Sequence, residues 1–260
     1  MPVQLFPDGA EPSDENTEIC RFMEMWKFKD LLKTGELHFA RADRFQDDCE
    51  GLPPNEYVRS LGFSSLDLRD IHKLNHDLGC LAQFREGFFL NCWYHFTDET
   101  ARMWQDYGKH GVAVVSRYSL LKAALERCEY NAFLGLVRYG TTHLTGWNVL
   151  RFISTKQHIY SHEREIRALL WVPDPLAGNN RHLDENNVPH PQPLTEPPER
   201  IPKALRLRVE VNSLITEVLV SPWASETAIF EVEEMMRSHG YMLRVRPSAV
   251  SRFRTLLPET

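Results

Sequence analysis

The chain has no surplus of positive charge. Its 30 Lys and Arg stand against 36 Asp and Glu, a formal net charge of -6, whereas a nucleic-acid binder usually carries a cationic excess. Local basic patches stay open, but nucleic acid is not the favoured partner. No run of about 18 apolar residues occurs, so no membrane partner is expected. The first twenty residues lack the basic start and apolar run of a signal peptide, and a cytoplasmic protein is the expectation. The five cysteines (Cys20, Cys49, Cys80, Cys92, Cys128) are odd in number and include no C-x-x-C pair, which suggests neither a disulfide framework nor a cysteine zinc site. P-loop, G-x-S-x-G and Rossmann signatures are missing, and none of the eleven histidines forms H-E-x-x-H. Those gaps lower the odds of an ATPase, an α/β-hydrolase or a dehydrogenase.

What is present is an ordinary globule: 260 residues, 42% apolar and 25% charged, enough for one elaborated domain or two closely joined ones. Residues 1–17 read as a flexible acidic leader. A main core over 18–172 follows, beginning with a strand at Ile19–Met23. A helix comes next, with Trp26, Leu31 and Leu32 on one side and Gly35 as its stop. ELHFARADRF reads as a second strand, and residues 54–87 as amphipathic helices marked by Leu66, Ile71, Leu74, Leu78 and Leu81. The aromatic run Gly87–Phe96 is the best central strand; Thr97 is placed to cap the helix after it, and Val112–Arg117 is a further interior strand followed by a helix. Eight of the sixteen prolines fall within 173–203, which reads as an exposed loop. Residues 204–257 then supply strands and a helix that complete the same domain. The fold class expected is α+β, with mixed or antiparallel sheets and surrounding helices.

The stretch Lys156–Trp171, KQHIYSHEREIRALLW, concentrates charge beside an apolar exit. Read as a strand entered near His162, it places Glu163, Glu165 and Arg167 on one face and Ile166, Ala168 and Leu170 on the other. Read as a helix, it makes Glu163 and Arg167 an ordinary i,i+4 ion pair. Further polar candidates are Arg21; Asp47 and Glu50; His95, Trp104 and Tyr107; and Lys156. Each also has a plain role: Asp47 in a turn, His95 as a satisfied core histidine, Trp104 and Tyr107 as packing. Gathered in an interior, the charged members would have to pair or face a cleft.

The order of landmarks resembles the bacterial DUF2971 family from about residue 19 to residue 250. The pieces are CRFM, LLKTGELHFARADRF, the turn FQDDCEG, NCWYHFTDETARMWQDYGKHGVAV, FISTKQHIYSHEREIRALL and EVLVSPWASETAIFEVEEMMRSHG. In the turn, Phe45, Asp47, Glu50 and Gly51 match, whereas Gln46, Asp48 and Cys49 depart from the pattern. The family in turn looks like a remote version of the ADP-ribosyltransferase arrangement, in which two small crossed sheets hold NAD in the split between them. That likeness implies NAD as cofactor, a nucleotide-like small molecule as partner and a macromolecular acceptor. It implies Arg21 on phosphate or ribose, with His95 in the same cofactor-binding set and Trp93 or Tyr94 stacked on the nicotinamide ring. Glu165 would stabilise the oxocarbenium-like centre, and Glu163 would orient or activate the acceptor. The Ser-Thr-Ser signature of one subgroup is replaced here by FFLNCWYHF. A carboxylate beside a developing cation and an arginine fork on phosphate suit this chemistry.

Two other classes stay open. One is a metal-dependent hydrolase or nuclease, in which Asp47, Asp48, Glu50 and Glu163 or Glu165 gather around Mg²⁺. The other is a ligand-sensing or interaction module whose acids and bases form a structural network, with no metal.

Overall fold

The computed structural model describes residues 2–45, 47, 50–60, 78–79, 85–172 and 202–250. Strand β1 (Glu18–Glu24) runs directly into helix α1 (Met25–Thr34). Gly35 ends α1 at φ 63°, its N–H returning to the Leu31 carbonyl, a left-handed conformation that glycine adopts without a Cβ clash. The buried stripe of α1 is Phe28, Leu31 and Leu32, the i, i+3, i+4 pattern. Trp26 was expected on that stripe, but two residues before Phe28 is about half a turn round the helix, and it is 66% exposed.

Strand β2 (Glu36–Arg41) leads into a 3₁₀ turn, and α2 (Asn55–Ser60) follows. Strand β3 (Phe88–His95) is the aromatic run, flanked by β1 and β2 as a central strand should be. Helix α3 (Ala101–Tyr107) is capped by Thr100, whose side chain accepts from Met103 N–H. Thr97 was expected there; its hydroxyl instead donates to Asp98, 2.6 Å away. Then come β4 (Gly111–Arg117), α4 (Tyr118–Glu126), β5 (Asn131–Leu136), β6 (Arg138–Tyr139), α5 (Val149–Ile153), β7 (Thr155–Lys156), a 3₁₀ helix over His158–Glu163 and β8 (Glu165–Trp171). The chain closes with β9 (Ala204–Arg208), α6 (Val211–Leu214), β10 (Glu217–Val220), α7 (Ala228–Ser238) and β11 (Arg244–Pro247). The fold class is α+β with a mixed, mainly antiparallel sheet and flanking helices. The helices expected between 61 and 84 and the excursion at 173–203 lie almost wholly outside the described residues. No helix among the described residues is long and apolar enough to cross a membrane.

Packing divides the chain into two compact units, each built from three separated segments, where the sequence suggested one continuous core. Unit 1 comprises Met1–Glu11, Phe39–Asn91 and Glu129–Leu205; unit 2 comprises Pro12–His38, Cys92–Cys128 and Arg206–Thr260. Strands β2, β3 and β9 contribute residues to both.

In unit 2, β4 is the hub, antiparallel to β1 and to β10, with β11 parallel beyond β10. Alternation sends Cys20, Phe22, Tyr94, Ala113, Val115 and Leu219 to one face, where Met103 and Trp104 of α3 close over them. Helices α1 and α4 pack against β4. At the start of β4 a Cβ on Gly111 would come within 2.0 Å of the Met23 carbonyl oxygen, so only glycine allows this approach of β1.

In unit 1, β5 and β8 pair antiparallel from Asn131↔Trp171 to Leu136↔Ile166, and β8 also pairs with β3. Strands β6 and β7 form a short parallel pair. The segment expected as a loose leader is tied down here. Gln4 bridges Phe133 of β5, Phe6 is 2% exposed and stacks on Phe133, and Asp8 pairs with Arg151 at 2.7 Å. An apolar side chain two residues from a strand-edge hydrogen bond is enough to order the segment.

Candidate functional site

Unit 1 gathers five charged side chains, of which Glu50, Glu163, Glu165 and Arg167 are buried and Lys156 is half-buried. Glu165 and Arg167 are two apart on β8 and so share a face. Arg167, with no exposed surface, grips Glu165 in a fork: Nε donates to Oε1 at 2.6 Å and Nη2 to Oε2 at 3.1 Å. Its Nη1 donates to Glu50 Oε1 at 2.6 Å and to the Ile153 carbonyl at the end of α5. Asn148 caps α5 by accepting from the N–H groups of Leu150 and Arg151, which fixes the turn that presents that carbonyl.

Lys156 arrives from β7. Its Nζ is 2.5 Å from Glu163 Oε2, 2.8 Å from Glu165 Oε2 and 4.0 Å from Glu50 Oε2. Tyr160 lays its ring 5.5 Å from the same ammonium, a cation–π contact. Glu163 is not on the strand, as expected, but is the last residue of the 3₁₀ helix. Arg164 follows at φ 39°, a left-handed conformation rare for a side-chain-bearing residue. That kink breaks the period-two pattern, yet Lys156 holds both glutamates.

Glu50 is held by its own backbone, its N–H bonded to the Asp47 carbonyl at 3.0 Å. Gly51 completes the turn at φ 77°, and a Cβ there would lie 2.7 Å from Ile153 Cδ1. Glu50 is 3% exposed, and its Oε2 is buried without a hydrogen-bond partner among the described residues. Burial raises its carboxyl above the ordinary glutamate value of 4.5, although Arg167 and Lys156 pull the other way.

Two tyrosines complete the site, and the sequence reading missed their roles. The Tyr139 hydroxyl accepts from Glu165 N–H at 2.8 Å, and burial pushes its phenol well up. Burial, followed by the Asp47 charge, raises the Tyr160 phenol. Tyr160 had a signal, four residues after Lys156 in the charged stretch. Tyr139 had none, because its partner is 26 residues on.

No protein-family model matches the chain, and neither any curated protein nor any solved structure is significantly similar to it. The site is therefore read from its own residues.

Of the residues picked from the sequence, Glu50, Lys156, Glu163, Glu165 and Arg167 converge, with half-buried Asp47 in the turn beside them. Arg21, Trp93, Tyr94, His95, Trp104 and Tyr107 belong to unit 2. There Trp93 and Tyr94 are each 2% exposed, and Tyr94 packs 6.0 Å from the Phe22 ring. Both are core residues, which removes them as platforms for a nicotinamide ring. Trp104 is likewise core, its indole N–H donating to Glu99 at 3.3 Å, while Tyr107 is exposed on the same helix and His95 half-buried at the end of β3.

Lys156 also bears on the Mg²⁺ alternative. Its ammonium sits among the carboxylates that were to hold a divalent ion. Among the described residues no group of three or more His, Cys, Asp or Glu is arranged to hold one, and Asp48 lies outside them.

Proposed function

We propose that unit 1 carries an acid–base site for a small polar, nucleotide-like ligand, with Glu50 as its proton-carrying group and the neighbouring ions as its scaffold. Three acids and two bases make an interior that is neutral only if one carboxyl holds a proton. The observation that carries the reading is Glu50 Oε2, buried and without a hydrogen-bond partner among the described residues, on the carboxyl that burial raises. Buried carboxyls with raised pKa, set beside a fixed cation, are the groups that enzymes use to move protons.

The reaction proposed is NAD-dependent ADP-ribosyl transfer. The bond from ribose C1′ to the nicotinamide nitrogen breaks, its electron pair leaves with nicotinamide, and the ribose carries positive charge until an acceptor attacks. Glu163 and Glu165 supply negative potential for that charge. Glu50 takes the acceptor's proton, which requires that it first be ionised. Activity then rises with pH through the raised Glu50 pKa.

A specific observation favours a second reading, that of a structural network alone: both oxygens of Glu165 are engaged, and Arg167 is wholly buried. Thermal shift with NAD, ADP-ribose and nicotinamide, together with an NAD-consumption assay, separates the two. Under the acid–base reading a ligand raises Tm, and Glu50→Gln stays folded while consumption is lost. Under the network reading no ligand shifts Tm, and Glu165→Gln only destabilises.

A further inference from the structure

Strands β6 and β7 form a ribbon with two faces. Their register pairs Arg138 with Thr155 and Tyr139 with Lys156, and paired residues project from the same side. Tyr139 and Lys156 reach the ionic cluster, the one at Glu165 N–H and the other at Glu165 Oε2, each at 2.8 Å. Arg138 and Thr155 therefore look the other way, toward the N-terminal segment and α5. Arg138 Nη1 donates to the Asp8 carbonyl at 3.0 Å. The Thr155 hydroxyl donates to the Arg151 carbonyl at 2.7 Å and lies 2.9 Å from His143 Nε2.

Asp8 closes this second face. Its carboxylate stands 2.7 Å from Arg151 Nε, an ionic contact rather than a hydrogen bond, since the Nε–H is aligned on no acceptor among the described residues. Arg151 Nη1 is fixed separately by the carbonyl and hydroxyl of Thr145, at 2.6 and 2.7 Å. Asp8 adopts φ 56°, a left-handed conformation that aspartate tolerates better than most residues. The chain is clamped to β5 on both sides of it: Gln4 N–H donates to the Ala132 carbonyl at 2.9 Å, Leu134 N–H to the Gln4 carbonyl at 3.0 Å and Leu136 N–H to the Ala10 carbonyl at 2.9 Å. One residue thus ties the N-terminal segment to β6 and to α5. Beyond Arg151 in the chain come the Ile153 carbonyl, which receives Arg167 Nη1, and then Lys156.

We propose that Asp8 is a positioning residue of the acid–base site: by anchoring Arg151 it fixes the turn that presents the Ile153 carbonyl to Arg167 and delivers Lys156, and so sets where both cations stand around Glu50. The proposal rests on the acid–base reading of the cluster. The groups that face Glu50 or its cations are Arg167 and Glu165 of β8, Lys156 of β7, Tyr160 and Glu163 of the 3₁₀ helix, and Asp47 earlier in its own segment. The two cations favour the ionised carboxyl, so letting them drift raises its proton affinity. Loss of the Asp8 charge acts through space in the opposite sense, and the sign therefore separates positioning from plain electrostatics.

The test is infrared titration of the Glu50 carboxyl band, read as the difference between each protein and its Glu50→Gln counterpart. Asp8→Asn keeps the size of the side chain and its tolerance for φ 56°, and removes the charge. Its midpoint is expected about half a pH unit above that of the wild type, the size that a partly exposed ion pair transmits. Added salt screens that pair more than the buried ones, so it is expected to move the wild-type midpoint upward and the Asp8→Asn midpoint much less. An Asp8→Asn midpoint equal to or below that of the wild type, even with a lowered Tm, or the same salt response in both proteins, overturns the proposal and leaves the acid–base reading standing. Absence of a protonated carboxyl band in the wild type overturns both.

Discussion

Replacing Glu50 and Glu165 separately by glutamine distinguishes the two acids of the buried cluster. Glu165 is the carboxylate between two cations, with Arg167 forked onto it and Lys156 Nζ at 2.8 Å. Its removal leaves buried positive charge uncompensated, a loss of about 3–5 kcal/mol. Glu50, if it holds the proton, is already neutral. Glutamine then keeps the volume and an oxygen for Arg167 Nη1, and the cost is about 1 kcal/mol. For a chain of this size each kcal/mol moves Tm by roughly 2–4 °C, so the drops expected are roughly 6–20 °C for Glu165→Gln and 2–4 °C for Glu50→Gln. Thermal and urea denaturation at neutral pH read both. Equal losses would mean that Glu50 is an ionised partner of Arg167, and the charge count behind the acid–base site would be wrong.

Three further outcomes follow from the same geometry. Because the Glu50 pKa is raised in the folded protein, the native state holds its proton where the unfolded chain has released it; stability relative to Glu50→Gln should fall as pH rises from about 4.5 through the raised value, and a flat difference would refute it. Gly51→Ala forces a side chain onto φ 77° and against Ile153, so it should cost about 1–3 kcal/mol in denaturant unfolding and weaken any ligand response of unit 1. Tyr139→Phe removes the acceptor for Glu165 N–H, a loss of about 1–3 kcal/mol; hydrogen exchange should show that amide less protected, and unchanged protection would exclude the bond.

Much of the fold could be read from periodicity. The alternation around Ile19–Met23, the β-branched run before Arg117 and Gly35 as a helix stop each describe a local preference that packing left in place. Trp26 and Thr97 were misread because aromatic size and a threonine before a helix identify a type of residue, not the face or the capping position. The docking of Gln4 and Phe6 on Phe133 of β5 was hidden for a different reason: the partner lies more than a hundred residues away. The site was half legible. Lys156, Glu163, Glu165 and Arg167 stand close in the sequence, and Glu50 was marked by its turn. What the sequence could not express is direction, namely that Glu165 points into a fork of cations and that Glu50 has one oxygen without a hydrogen-bond partner among the described residues. The ring residues of β3 failed as ligand contacts because a strand buried on both faces offers no side chain to a cleft.

The central claim is that Glu50 carries a proton inside the ionic cluster, and infrared difference spectroscopy measures that directly. At about pH 6, where an ordinary glutamate, with its value of 4.5, is almost wholly ionised, the wild type minus Glu50→Gln spectrum should contain the C=O band of a protonated carboxyl. A difference spectrum with only the carboxylate bands of an ionised Glu50 would contradict the account.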